Sequence, residues 1–293
     1  MDLALIRTFI EVSETGSFVA ASERLFVTQS AVSLRVQRLE ELLGHPLFLR
    51  SKSGVEITPS GREFVTYAKS LLRTWEQARQ QLALPVGFTK SLTIGAQSSL
   101  WPGLGFRLID KLRAEMPDLG LRVELGLPNT FTRAMTEGVM QMALTYQPTF
   151  SPGLSIEKVI EDELVLVAPW ENPKIDDLHG RYAFIDWGTD YLHFHNIHLP
   201  ALTNPGLTMS MGSLSARYVI GRQLAAYLPA RVAKYYLDRE ELFLVEGAAT
   251  FTHTAWSVWR DDLDEELATV AHKALFEVAE LAASETVDVV DQV

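Results

Sequence analysis

The 293-residue sequence contains no cysteine, which excludes disulfides and thiolate metal sites. No uninterrupted apolar run approaches the roughly 18–20 residues that a bilayer-spanning helix needs. The N-terminus lacks the charged stub and apolar core of a signal peptide, being amphipathic instead. Also missing are a glycine-rich phosphate loop, a nucleophile elbow and an HExxH pair, and no paired catalytic carboxylate stands out. Neither a catalytic site nor a cofactor or metal is therefore expected. The chain is short of positive charge as well, with 26 Lys and Arg against 37 Asp and Glu and a net charge of -11. These absences point to a cytoplasmic protein with no membrane partner.

What is present is core-forming. Hydrophobic residues make up 47% of the chain and charged ones only 22%, so disorder is unfavoured and more than one core can be buried. The acidity is unevenly spread. Residues 1–90 hold 11 basic and 9 acidic side chains, whereas residues 91–293 hold 15 and 28. Within residues 24–52, Arg24, Arg35, Arg38, Arg50 and Lys52 face only Glu40 and Glu41. A small polyanion-binding module joined to a larger acidic one has this distribution.

Helical periodicity in the first module predicts three helices. Leu3, Ile6, Phe9 and Ile10 form the stripe of the first; Phe18, Ala21, Leu25 and Phe26 form that of a short second. "TQSAVSLRVQRLEELLG", residues 28–44, makes a third, with Thr28 as N-cap and Gly44 as left-handed C-cap. Helix, tight turn and helix at this spacing is a helix-turn-helix arrangement. Thr28, Gln29, Ser30 and Ser33 then occupy the positions that meet base edges, with Arg35 and Arg38 placed for phosphates. "LFLR", "SKSG" and "VEIT" read as a strand, a turn and a strand, a wing that carries Arg50 and Lys52 toward a phosphate backbone.

The skeleton "AA..L..TQSAVS....LE..LG..LF.R", followed by "T.SG" at the start of a long helix, resembles the DNA-binding domain of LysR-type transcriptional regulators over residues 2 to about 64. The resemblance implies a DNA-binding regulator rather than an enzyme. Leu34 departs from it, since many relatives carry a polar or basic residue there. From Pro59 a helix is expected to about Leu84, with a heptad seam of Phe64, Ala68, Leu71, Trp75, Ala78 and Leu82. In such regulators the corresponding helix links and dimerises. "PVGFTK", residues 85–90, reads as the hinge, where Pro85 stops the helix.

Beyond the hinge the period changes. "SLTIGA", a helix over 101–114, "LRVELGL", a helix over 130–138 and "MQMALTYQ" alternate as βαβαβ, which implies a parallel sheet. A second set comprises "YAFIDW", a helical stretch over 213–222, "LAAYLP", "LFLVE" and "HTAWSVWR", with a last helix over about 263–283. Two open α/β lobes bind ligands in the crevice at their strand ends. The order is similar to the effector domain of LysR-type regulators, itself like a periplasmic binding protein. "SSLW" with "DWG" further resembles an HdfR-like subgroup of that family. Two departures stand out: Gly221-Arg222-Gln223 replaces the family's Gly-Leu-Gly, and Gln141 stands where an Asp is often found.

The expected architecture is an N-terminal all-α winged helix-turn-helix over 1–58, a linker helix and hinge over 59–89, and an α/β effector domain of two lobes over 90–293. Lobe I takes about 90–162 and 267–293, and lobe II about 163–266. Strand ends nominate Ser98, Ser99, Trp101, Pro128, Asn129, Thr130 and Tyr146 from one lobe as effector contacts. Trp187, Gly188, Thr189, Gly212 and Ser213 are nominated from the other. The partners implied are a double-stranded DNA operator, a small-molecule effector and further copies of the chain, as a dimer or tetramer. Two alternatives stay open: a solute-binding protein, which would call for export, and a metalloenzyme using His193, His195 and His198.

Overall fold

In the computed structural model, residues 2–51, 54–82 and 85–292 are described. Contacts divide the chain into two compact units, residues 1–84 with 136–139 and residues 85–135 with 140–293.

In the first unit, α1 (Leu3–Thr15), α2 (Phe18–Leu25) and α3 (Gln29–Leu43) bury the stripes their sequences predict. Thr28 Oγ1 accepts from the Ala31 amide at 3.2 Å to cap α3, and Gly44 ends that helix at φ 72°, a conformation that costs glycine little. β1 (Phe48–Ser51) and β2 (Gly54–Ile57) pair antiparallel to form the wing. Glu40 on α3 accepts from the Leu47 and Phe48 amides at 2.7 and 3.1 Å, so the wing is hung from the third helix.

α4 (Pro59–Leu82) starts with two devices encoded in "TPSG". Thr58 Oγ1 accepts from the Gly61 amide at 2.9 Å, and a Cβ at Gly61 would lie 2.3 Å from the Leu47 carbonyl oxygen. Only glycine lets helix and wing approach so closely. The core is aromatic: Phe9 is fully buried, with the rings of Phe48 and Phe64 at 5.4 and 5.1 Å. Along α4 the expected seam divides. Ala68 is buried and Phe64 packs on this core, whereas Leu71, Trp75 and Leu82 are 39%, 50% and 88% exposed.

The second unit is built on a seven-stranded sheet. β3 (Lys90–Ala96) lies parallel to β4 (Leu119–Leu125) and β5 (Met142–Thr145), as the βαβαβ pattern predicts. β6 (Leu154–Ala168) and β11 (Phe251–Arg260) run antiparallel to each other with a bulge between Ala255 and Trp256. β9 (Ala226–Pro229) and β10 (Phe243–Leu244) pair with β6, and β7 (Phe184–Ile185) pairs with β8 (Thr208–Met209) in a separate parallel ribbon. The helices are α5 (Phe106–Glu115), α6 (Pro128–Thr136), α7 (Thr189–His198), α8 (Ala216–Gly221), α9 (Ala230–Leu237) and α10 (Glu265–Val290).

Two large cores give this unit its lobes. One is built on β3, β5, α5 and α10; the other on the second half of β6 with residues 178–248. Ala255 and Trp259 belong to the first core, although the expected boundary placed them in the second lobe, and Val289 of α10 reaches the second. The helix expected over 101–114 begins only at Phe106, because Pro102 at ψ 134° and Gly103 at φ 74° break the preceding turn. β4 and α6 each start two residues earlier than expected, and α10 runs seven residues further.

The departures from the family pattern have local substitutes. Gln141 Oε1 accepts from the Thr93 amide at 2.8 Å and ties β5 to β3. Gln223 keeps a left-handed backbone at φ 54° without being glycine.

Candidate functional site

At the start of α3 the first turn presents a polar surface. Thr28, Gln29 and Ser30 are exposed, Ser33 is half-buried, and Arg38 is exposed one turn further on. Arg35 is half-buried, its guanidinium 3.5 Å from Thr8 Oγ1 on α1. Leu34 is 66% exposed on the same helix, an apolar group set among the polar ones. Arg50 lies on β1 of the wing, and Lys52 lies outside the described residues. The arrangement is a helix offered by its N-terminal turn, with a β-ribbon beside it, the geometry by which a protein enters a major groove.

In the second unit a cavity of about 610 Å³ opens between the lobes. Eight of the nominated residues line it: Ser98, Ser99, Pro128, Asn129, Tyr146, Trp187, Gly188 and Gly212. Four do not. Trp101 is buried in the first core with the Phe106 ring at 5.7 Å. Thr130 spends its hydroxyl on its own turn, donating to the Leu127 carbonyl at 2.7 Å. Thr189 begins α7 outside the cavity wall, and Ser213 is buried, its amide donating to Ser99 Oγ at 2.9 Å.

The lobes touch at this point. Ser98 Oγ donates to the Met211 carbonyl at 3.0 Å, and a Cβ on Gly212, at φ 55°, would sit 2.4 Å from Ser99 Oγ. Any side chain there would displace the Ser98 and Ser99 hydroxyls from this contact and strain a backbone held at positive φ.

Several cavity residues escaped the sequence reading. Gln97 Oε1 accepts from Thr145 Oγ1 and the Tyr146 amide at 2.8 and 2.7 Å, which leaves its NH₂ group as the end it offers a ligand. His253 stacks on Tyr146 with ring centroids 4.0 Å apart. Behind Tyr146 lies a fully buried ion pair. Arg231 Nε and Nη2 donate to Asp162 at 2.9–3.0 Å, and Tyr146 donates its hydroxyl proton to the same carboxylate at 2.7 Å. Arg231 also donates to the carbonyls of Ser99 and Pro102. α9 is thereby bound to β6 and to the turn after β3. Burial, with the Asp162 charge, raises the Tyr146 phenol well above its usual range, so it stays a neutral donor.

Residues 3–62 match the family model for the bacterial regulatory helix-turn-helix protein, lysR family, and residues 86–278 match that for the LysR substrate binding domain. The chain belongs to the LysR family of transcriptional regulators. The HTH-type transcriptional regulator HdfR of Yersinia pestis (strain Pestoides F) is similar at 29% identity over 276 residues, 91% of this chain and 93% of that protein. The same subgroup was suggested by "SSLW" and "DWG". Two solved structures share the fold. LysG of Corynebacterium glutamicum with bound effector Arg has a TM-score of 0.57 at 17% identity, covering 96% of this chain and 99% of that one. Full-length OxyR of Pseudomonas aeruginosa, in a cysteine-to-aspartate variant, has a TM-score of 0.54 at 20% identity, covering 96% and 95%.

This LysR-family chain is therefore a transcriptional regulator with an effector-binding domain, not an enzyme. Regulators of this kind bind DNA and small-molecule effectors and form oligomers. The histidines raised as a metal-site alternative have other surroundings. His195 is buried among Tyr182, Phe184 and Tyr191, and burial lowers its pKa. His193 is exposed, and the ring of His198 lies against Phe194 at 4.4 Å. Among the described residues no cluster of three His, Asp or Glu could hold a metal ion.

Burial lowers the His253 pKa from 6.5 to about 4, against the opposing pull of the Asp162 and Asp190 carboxylates. Its neutral form stabilises the fold fully above pH 6.5. That contribution is lost as the pH falls from 6.5 toward 4, because the unfolded chain takes up the proton first; the loss reaches about 3 kcal/mol at pH 4. Thermal melts between pH 7 and 4 will show a shallower decline for His253→Phe than for the wild-type chain. Parallel curves for the two proteins would contradict this role.

Proposed function

We propose that this regulator binds a double-stranded DNA operator in the cytoplasm as a dimer, which pairs further into a tetramer, and that a small molecule in the interlobe cavity changes its operator binding. The observation that carries the reading is one chain holding both a winged helix with an open polar first turn and a two-lobed domain closed over a ligand-sized cavity. Gln29, Ser30 and Ser33 are assigned to base edges, with Thr28 capping the helix that presents them. Arg35, Arg38, Arg50 and Lys52 are assigned to phosphates.

The cavity lining constrains the effector. Its ionisable members besides the neutral Tyr146 are Asp186 and His253, and the latter is uncharged at neutral pH. Among the described residues no cation lines it, so a strongly anionic ligand is disfavoured. Ser98, Asn129 and the Gln97 NH₂ suit a polar head, while Leu125, Leu127 and Trp187 cover an apolar body. A differential affinity of about 1–3 kcal/mol between two domain arrangements is enough to alter which operator spacing is preferred.

The DNA half is tested by the salt dependence of operator binding. Replacing Arg50 and Lys52 together with alanine will weaken binding on every sequence and reduce the slope of log K against log salt by about one to two units. Changing Gln29 or Ser33 will instead alter preference between sites. Unchanged salt slopes in the double variant would remove the wing from the interface. The effector half is tested by a thermal-shift screen on the full chain, repeated with Gly212→Val. Displacing the Ser98 and Ser99 hydroxyls and filling the cavity wall will abolish the response to a stabilising compound while leaving effector-free operator binding intact. A compound that acts equally on both proteins would place the sensor elsewhere.

A further inference from the structure

A second cavity, of about 600 Å³, opens elsewhere on the effector domain. Its walls come from the Pro102–Gly103 turn, Arg107 and Glu285 on one side and from Arg217 and α9 on the other. Here the charge of the domain is reversed. Besides Arg231, whose charge Asp162 matches, the lining carries Arg107, Arg217, Lys234 and Arg239 against Asp238 and Glu285, although residues 91–293 hold 28 acidic side chains against 15 basic.

The other four cations are unequally engaged. Arg107 makes a two-pronged pair with Glu285 at 2.9 and 2.6 Å, and Lys234 meets Asp238 at 3.1 Å. Arg239 lies 3.6 Å over the Tyr235 ring and donates to the Tyr235 carbonyl at 2.8 Å, with no carboxylate of the described residues in salt-bridge range. Arg217 is exposed and likewise meets no acid among the described residues. Two guanidinium groups thus face one concave space with their charges unmatched. Arg231 forms part of the wall, and at Gly103, held at φ 74°, a Cβ would already lie 3.5 Å from Arg231 Nη1. A glycine there keeps that edge uncovered.

We propose that this cavity is a second ligand site and that it takes a small polyanion, a compound bearing two or more carboxylates or a phosphate. Planar guanidinium groups match carboxylate and phosphate oxygens two at a time, and an anion supplies the counter-charge that no described carboxylate gives Arg217 and Arg239. The site differs in chemistry from the interlobe cavity, whose described lining carries no cation. The two are mechanically joined. Leu214 lines both, and Ser213, on the wall of the basic cavity, donates its amide to Ser99 in the other. Any coupling between them through this shared wall is reciprocal.

The test is titration of the full chain with citrate and with inorganic phosphate at constant ionic strength, read by calorimetry and by thermal shift. Citrate will bind and raise the melting temperature. Arg217→Glu/Arg239→Glu, at two exposed positions, will weaken it by about ten-fold or more, the loss expected from removing charge-assisted hydrogen bonds. Asn129→Ala in the interlobe cavity and Arg50→Ala/Lys52→Ala in the wing will bind citrate like the wild type. Equal affinity in the Arg217/Arg239 variant would overturn the proposal by showing that the anion binds elsewhere. So would the absence of stabilisation by both probes.

Discussion

Arg231→Ala will destabilise the effector domain by about 3–5 kcal/mol, because it leaves the Asp162 carboxylate buried and unpaired. Both side chains of this pair are fully buried, so water cannot replace the missing partner. The same substitution strips donors from the Ser99 and Pro102 carbonyls and from their contact with α9. For a domain of this size each kcal/mol shifts the melting temperature by about 2–4 °C, so a fall of about 10 °C is expected. The pair is a device for joining elements rather than a net source of stability. Replacing both partners, as in Arg231→Met/Asp162→Leu, will recover much of the loss because no charge is left stranded. Calorimetry of the single and double variants checks both statements. A single variant melting within about 2–3 °C of wild type would mean that water or another group reaches Asp162.

That pair also marks where legibility in the sequence ends. The first unit could be read almost element by element because its signals are local. Thr28 and Gly44 cap a helix within their own turns, and "TPSG" encodes a cap and a close approach within four residues. The parallel half of the sheet was legible for the same reason, as strands and helices alternate there at short range. β6, α7 and α9 were not. β6 runs through "LSIEKVIEDELVLVA", buried on both faces toward its end and mixed in polarity before it, so neither a period of two nor a continuous apolar run announces it. α7 carries aromatics and histidines on several sides. The cavity was half legible. Strand ends located Ser98, Asn129 and Trp187, but Gln97, His253 and Arg231 owe their places to partners 48 to 132 residues away. Trp101 and Thr130 were nominated by position and turned inward or onto their own turn.

The pairing helix leads to the second large expected effect. Along α4, Leu71, Trp75, Ala78 and Leu82 are spaced by four, three and four residues, and all four are exposed. A single chain thus leaves the C-terminal half of the seam uncovered, while Phe64 and Ala68 pack on the winged helix. In the proposed dimer the occupant is a second copy of α4, whose own stripe has the matching heptad spacing. Leu71→Glu will put a carboxylate into that seam on both sides of the two-fold axis, so sedimentation will find a monomer where the wild type is a dimer or larger. Each winged helix reads only a few base pairs, and a dimer gains by binding two half-sites about one helical turn apart. Losing that linkage will cost about a hundred-fold or more in operator affinity, within the range that tethering two modules provides. Leu71 lies far from the first turn of α3 in sequence and is already partly exposed, so the monomer will keep its helical signal. An unchanged sedimenting mass for Leu71→Glu and Trp75→Glu would show that copies of this chain associate through another surface.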